Sequence, residues 1–306
     1  MNTITVFTPT YNREKTLPRL YQSLLKQSYK NFEWLIIDDG SVDNTESLIN
    51  KWIAEEKLAI SYYKQKNGGK HRAINKGLDH AKGELFFIVD SDDYLPANSL
   101  EIVCKRYLTI KEDNSIIGIV GLYATPNGTI LKNQQFPLDV VDTNLIERRE
   151  RYGITVDMAK VIKTNKFKEF RFPDIVGENF VAESIVWNRM ALEYKFRYFN
   201  EVIYIAEYFE DGLSSNSIRN RRKNPKYATL LYKELAHNPK APIKLKFKSI
   251  INFWRFGFCD TKNIFALLKK INNFPLALIA LPLGFGLYIK DSYSDDINIK
   301  KMNNDG

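Results

Sequence analysis

The chain has 306 residues, 44% of them apolar and 26% charged, with 15 glycines and 11 prolines. That length buries a substantial core, and the composition excludes disorder, a fibrous repeat and a disulfide-stapled scaffold. The net charge of +9 is uneven: residues 215–270 carry 14 Lys or Arg against two acids, Glu234 and Asp260, so that stretch holds about +12 and the rest about −3.

Chain order gives an alternation of strand and helix signals. Thr3 to Thr8 is β-branched and apolar, and Leu17, Leu20, Tyr21, Leu24 and Leu25 follow at helical spacing. Phe32 to Ile37 predicts a second strand that runs into Asp38-Asp39-Gly40-Ser41; Asp43 is placed to cap a helix bearing Leu48, Ile49, Trp52 and Ile53. Leu58 to Tyr63 predicts a third strand, Asn67-Gly68-Gly69 a turn, Lys70 to Ala81 a helix, and Leu85 to Val89 a fully buried strand ending at Asp90. From Ser115 to Ser214 the pattern is mixed, with strands at Ile116–Val120 and Val202–Ile205 and a helix from Ile185 to Leu192. The expected fold is α/β, a mostly parallel sheet with helices on both faces, in which ligands collect at the carboxyl ends of strands.

Three segments at such ends carry chemistry. In Val89-Asp90-Ser91-Asp92-Asp93 a buried strand meets three carboxylates within four residues, a repulsion that a divalent cation relieves while gripping a diphosphate; a solvated acidic loop or a helix cap is the plainer reading. In Asp38-Asp39-Gly40-Ser41 a carboxylate can take a ribose hydroxyl or base N–H, or the segment can be only a turn. Asn67-Gly68-Gly69-Lys70-His71-Arg72 brings cationic side chains to a helix start, a pattern that suits phosphate although it is neither a Walker A loop nor a dinucleotide fingerprint.

Together with the opening Val6-Phe7-Thr8-Pro9-Thr10-Tyr11-Asn12-Arg13, these segments over roughly residues 1–215 resemble glycosyltransferase family 2, the GT-A fold enzymes of polysaccharide and lipopolysaccharide assembly. The resemblance implies a GT-A-like nucleotide-binding sheet flanked by helices and transfer from a nucleotide-diphosphate sugar, a UDP-sugar being expected. It places Thr8, Pro9, Tyr11 and Arg13 around the nucleotide, Asp39 on the base or ribose, and Asp90 and Asp92 as a DxD element holding Mn2+ or Mg2+. Ser91 lies within that element, and Asn67, Lys70 and Arg72 are assigned to the donor phosphates. Relatives usually carry Glu-Asp as the base; here Ala182-Glu183 stands in that place, so Glu183 is the expected base, with Glu178 its rival. The bland reading of Glu183 is a residue that begins a helix and complements its dipole. In Glu207 to Ser214 the resemblance leads one to expect a His near the metal; none is present, and Asp211 or simple loop closure remain alternatives.

Cys104 and Cys259 lie far apart without metal-ligand spacing and the first residues carry no basic leader, so a cytoplasmic location and no signal peptide are expected; the Asn127-Gly128-Thr129 sequon is then fortuitous. Residues 216–306 read as a basic, apolar helical extension. Lys244, Lys246, Lys248 and Arg255 are expected to face anionic headgroups beside Phe247, Phe253, Trp254, Phe256 and Phe258, on the inner face of the cell membrane. Phe274 to Ile289 falls short of a spanning helix, with Pro275, Pro282, Gly284 and Gly286 weakening it. A plain helical appendage is the alternative, and no zinc-finger or RNA-binding motif supports nucleic acid. The expected acceptor is a saccharide or lipid-linked saccharide, as in capsule assembly. A nucleotide-sugar binder without turnover and a sugar nucleotidyltransferase are the rival functions, the latter opposed by the lack of glycines after the first strand.

Overall fold

The computed structural model describes residues 3–207, 216–271 and 274–304. The chain forms two compact units, Met1–Asp174 with Ala182–Phe209, and Ile175–Val181 with Glu210–Gly306.

The first unit is built on an eight-stranded sheet. Its strands are β1 (Ile4–Thr10), β2 (Phe32–Asp38), β3 (Ile60–Lys64), β4 (Leu85–Ile88), β5 (Ile116–Ala124), β6 (Val140–Thr143), β7 (Ala159–Lys163) and β8 (Lys195–Ile205), in the order β3-β2-β1-β4-β7-β5-β8-β6. Helices α1 (Leu17–Leu25), α2 (Thr45–Ala54), α3 (Lys70–His80), α4 (Ser99–Leu108), α5 (Leu145–Tyr152), α6 (Thr164–Phe167) and α7 (Ser184–Glu193) complete it. Strands β3, β2, β1 and β4 pair in parallel, as do β5 and β8; β7 and the edge strand β6 are antiparallel to their neighbours.

Every residue of β1 and β2 is buried, as central strands covered on both faces require. On one face Leu17, Leu20, Tyr21 and Leu24 of α1 join a core with Val6, Trp34 and Phe87. On the other, α3 rests directly on β1: a Cβ at Gly77 would lie 2.2 Å from the Phe7 ring, so only glycine permits that approach. Because β7 runs against β4 and β5, its first residues share the sheet edge where β1, β2, β4, β5 and β8 end. That edge gathers Asp39, Asp90 to Asp93, Tyr123, Lys160 and Tyr204.

The second unit contains α8 (Ser217–Lys223), α9 (Pro225–His237), α10 (Ile243–Asp260), α11 (Ile264–Ile271) and α12 (Phe274–Asn304). Its core is formed by Ile250, Phe253, Trp254, Phe258, Leu267 and Ile271 with Ala277 and Ala280, and the Trp254 indole donates to the Ala277 carbonyl at 2.8 Å. This corrects the expected membrane face, since Phe253, Trp254, Phe256 and Phe258 are buried and Arg255 pairs with Asp291 at 2.6 and 2.8 Å. The Gly and Pro residues do not interrupt the terminal helix: α12 continues through Pro282, and Gly284 packs where a Cβ would meet Trp254 at 2.4 Å. Phe274–Tyr293 is long and apolar enough by length and composition to cross a membrane, with Phe274, Leu278, Ile279, Leu283, Phe285 and Ile289 exposed.

Candidate active site

The β4 strand leads into a tight turn in which the Asp93 N–H donates to the Asp90 carbonyl at 3.1 Å. Asp90, Asp92 and Asp93 each present an oxygen there, all within 4.8 Å of one another. Tyr204, at the end of β8, clasps this turn: its hydroxyl donates to Asp93 Oδ2 at 2.7 Å and accepts the Asp90 N–H at 3.0 Å. The Glu207 N–H donates to Asp93 Oδ1 at 2.9 Å. Asp93 is buried, and that burial, with the neighbouring Asp90 carboxylate, pushes its pKa up to about 7. Asp93 therefore orients the turn, while Asp90 and Asp92 are partly exposed. Their hard oxygens fit a divalent cation, since ligand distances of roughly 2.0–2.6 Å hold its oxygens at most about 5 Å apart.

In this structure side-chain cations neutralise the pair. Lys70 Nζ lies 2.6 Å from Asp90 and 2.7 Å from Glu183, and Arg13 lies 3.3 Å from Asp92. Arg19 donates to the Asp92 carbonyl, pairs with Glu207 and covers the Tyr94 ring. Burial works against the Lys70 charge, but Asp90 and Glu183 outweigh it and raise its pKa. Glu183 is likewise disfavoured by burial, yet Lys70, then Lys160 and a hydrogen bond with Trp187, hold it below the usual carboxylate range. Asp90 is raised by burial and by Glu183 and Asp92, with Lys70 opposing. Glu183 occupies the N-cap position of α7, but its side chain makes no capping hydrogen bond. Its carboxylate turns to Lys70 instead, against the reading of a simple helix start.

The rival base is consumed elsewhere. Glu178 is buried, and its two oxygens accept the N–H groups of Lys226 and Tyr227 at 2.7 and 2.8 Å, capping α9.

The remaining expected residues divide. Tyr11, 46% exposed, and the half-exposed Arg13 stand in the loop after β1, where Asn12 adopts positive φ and accepts the Val42 N–H. Thr8 is fully buried and its hydroxyl accepts the Trp34 indole N–H at 3.0 Å, which ties β1 to β2. Pro9 and Ser91 are buried, and Asn67 is exposed. Asp39 is buried beneath the Asn67–Gly69 turn: Oδ1 accepts Gln65 Nε2 at 2.7 Å and Gly68 N–H at 2.9 Å, and Oδ2 accepts Gly69 N–H at 2.7 Å. Only Oδ2 keeps an acceptor position for a ligand. Gly40, at φ 87°, lets this turn close, since a Cβ would lie 2.9 Å from Asn67 N.

The cationic helix start is also corrected. Asp39 takes the N–H groups of Gly68 and Gly69, Arg72 turns to Asp174 at 2.6 and 2.8 Å and to the Gly68 carbonyl, and His71 is buried. Of the three cations only Lys70 faces the acidic cluster. Tyr208 to Ser214 lie outside the described residues, so neither Asp211 nor loop closure is placed. The sequence also did not single out Tyr204, Arg19 and Lys160: none lies in a motif, and the partners of Tyr204 and Arg19 lie over 70 residues away.

An α/β unit with its acidic cluster and a paired Lys–Glu at the carboxyl edge of the sheet has the GT-A plan. The sequence model of glycosyl transferase family 2 matches residues 5–170, and the chain belongs to that family. Glycosyltransferase GlyG of Streptococcus pneumoniae is similar, 27% identical over 66% of this chain and 69% of its own. Poly(ribitol-phosphate) beta-N-acetylglucosaminyltransferase TarP of Staphylococcus aureus is 30% identical over 78% of this chain and 74% of its own. Among solved structures, S. aureus TarS 1-349 in complex with UDP-GlcNAc matches at a TM-score of 0.62 and 24% identity, covering 91% of this chain and 79% of that one, a likeness of fold.

Proposed function

We propose that this chain transfers a sugar, with inversion, from a nucleotide-diphosphate donor, a UDP-sugar, to a hydroxyl of a saccharide or lipid-linked saccharide in cell-surface polysaccharide assembly. The observation that carries this reading is Lys70 Nζ held between Asp90 and Glu183 at 2.6 and 2.7 Å, because it puts an ionised carboxylate beside a diphosphate-gripping cluster. The UDP-GlcNAc complex of TarS and the N-acetylglucosaminyl transfer to poly(ribitol-phosphate) for which TarP is named support the donor and the setting.

In this mechanism Glu183 accepts the proton of the acceptor hydroxyl as its oxygen bonds to the anomeric carbon and the bond to the diphosphate breaks. A single displacement inverts the configuration. Asp90 and Asp92 would hold Mn2+ or Mg2+, which when bound supplies charge stabilisation for the departing diphosphate. Lys70 keeps Glu183 ionised, Arg13 offers a cation at the same turn, and Asp39 Oδ2 takes a donor from the nucleoside. Residues 1–215 form the catalytic domain, and residues 216–306 a helical extension whose exposed α12 stripe attaches to the inner, anionic face of the cell membrane. A nucleotide-sugar binder without turnover, suggested by Ala182, is disfavoured by the placement of Glu183.

Thermal shift with nucleotide sugars, with and without Mn2+, identifies the donor. Glu183→Gln should then retain donor binding while turnover falls about 100- to 10,000-fold; normal turnover in that variant refutes the assignment. Asp92→Asn should lose Mn2+-dependent donor binding, and undiminished metal stimulation would remove it from the metal site.

A further inference from the structure

Beyond Glu183 along the same sheet edge, the first unit holds two cations that the chemistry above leaves unused. Lys160 on β7, Val120 on β5 and Tyr198 on β8 stand in register across neighbouring strands. Side chains paired in this way leave the same face, and Lys160 and Tyr198 are two strand spacings, about 10 Å, apart. Helix α5 is fastened over this row. Its Asn144 side chain caps the Ile146 and Glu147 N–H groups at 3.0 Å, and the Tyr152 ring meets Phe136 at 5.1 Å, which in turn meets Tyr198 at 4.9 Å. From this helix comes Arg148.

Arg148 is 9% exposed, and its Nε and Nη1 groups have no hydrogen-bond partner; neither has the fully buried Tyr198 hydroxyl. The Lys160 ammonium meets the Met158 carbonyl at 3.2 Å and the Trp187 ring at 5.4 Å. Among the described residues no carboxylate forms an ion pair with either cation; Asp157 and Glu183 act on Lys160 only at longer range. Burial, aided by the repulsion of Arg148, holds the Lys160 pKa below its ordinary value despite Asp157. The Arg148 and Tyr198 donors, buried in this way, are costly without an acceptor, and together with the partly buried Lys160 ammonium they point to an anion as the missing partner.

We propose that Arg148, Lys160 and Tyr198 form an anion-binding subsite for a phosphate or carboxylate group of the acceptor, adjoining the sugar or polyol unit whose hydroxyl Glu183 deprotonates. This rests on the glycosyl-transfer reading. The strand order favours the acceptor over the donor as the source of the anion: the proposed nucleoside and diphosphate positions are at β2 and β4, whereas β7 and β8 lie on the other side of β4. Lys160 links the subsite to the proposed base, because it is close enough to help hold Glu183 ionised. The acceptor class is therefore anionic, a polyol phosphate or an acidic sugar.

The test uses full-length protein saturated with UDP and Mn2+, so that the donor's diphosphate position is filled. Calorimetric titration with glycerol 3-phosphate, with glucuronate and with glycerol as a neutral control should show binding of at least one anion and none of glycerol. Arg148→Met and Lys160→Met should weaken that binding about tenfold or more while leaving UDP affinity within twofold. Preference for glycerol 3-phosphate marks a polyol phosphate and preference for glucuronate an acidic sugar. Absence of anion binding to the wild type, or equal binding by the variants, overturns the subsite. In ligand-free protein Arg148→Met should unfold at or above the wild-type temperature; a fall of several degrees marks a packing role and also overturns it. Failure to bind UDP with Mn2+ counts against the donor reading alone, and Arg148-dependent binding of glycerol 3-phosphate would then still uphold the subsite.

Discussion

Replacing Lys70 by Met keeps most of the side-chain volume and removes the one charge shared by Asp90 and Glu183. Each carboxylate contacts the ammonium within 2.7 Å, and the three side chains are only 26–37% exposed. Without the ammonium, two carboxylates a few ångströms apart repel by about 3–4 kcal/mol at an effective dielectric near 20. Solvent at this partly open site screens that value, so about 2 kcal/mol is the expected loss. For a unit of this size that corresponds to a fall in Tm of about 4–8 °C. Differential scanning fluorimetry in EDTA at pH 7.5 should show the fall, and Mn2+ should restore most of it by supplying the missing positive charge. Acid should also narrow the gap, because protonation of either carboxylate removes the repulsion. An unchanged Tm in EDTA, or a deficit that Mn2+ leaves intact, refutes the idea that Lys70 balances the metal-binding acids.

His71 is 1% exposed with both ring nitrogens unpartnered, and burial, then the nearby Arg72, lower its pKa to about 4. The unfolded imidazole protonates near 6.5, so this residue contributes fully above that pH and its contribution is lost as pH falls from about 6.5 to about 4, by at most about 3 kcal/mol. His71→Leu should flatten urea-unfolding stability over that window, and an unchanged pH slope contradicts the assignment. Glu178→Ala should cost about 1–2 kcal/mol in the same assay by uncapping α9, yet leave turnover within twofold; a hundredfold loss of turnover would restore Glu178 as the base. Ile279→Asp with Leu283→Asp alters two exposed positions of α12 and should release the protein from phosphatidylglycerol vesicles in flotation. Equal partitioning of variant and wild type removes the membrane reading.

The first half of the fold was legible because β1, β2 and β4 are largely buried β-branched and apolar runs, and β2 and β4 lead directly into acids. Strand β7 was not. Its sequence, Ala-Lys-Val-Ile-Lys, places two lysines in five residues, and burial of Lys163 becomes affordable only because the carbonyls of Ile110, Lys111 and Asp113 accept its three N–H groups at 2.8–3.2 Å. Those acceptors come from about 50 residues away, beyond any local pattern. The same limit explains the misread helix start. Composition marks Lys70, His71 and Arg72 alike as potential cations, whereas the turn of α3 sends one to Asp90, buries the second and aims the third at Asp174. In the C-terminal unit the aromatic residues of α10 look surface-seeking beside so many lysines. Their burial follows from α12, which continues past Pro282 and supplies the apolar partner for Trp254 and Phe258.

Charge along the sheet edge changes sign with strand order. Asp39 follows β2, the acidic triplet follows β4, and Lys160 and Arg148 stand at β7 and over β8. On the proposed reading, a UDP-sugar laid from β2 to β4 would bring its diphosphate to carboxylates that pair with Lys70 and Arg13 in this structure. An acceptor arriving from β8 meets the opposite sign. Glu183, held by Lys70 and influenced by Lys160, is the group on which both fields act, so if it is the base its ionisation would depend on both proposed sites. Anion binding at Arg148 and Lys160 would offset the positive field and raise the proton affinity of Glu183 when the acceptor hydroxyl is in place, coupling acceptor recognition to the strength of the base.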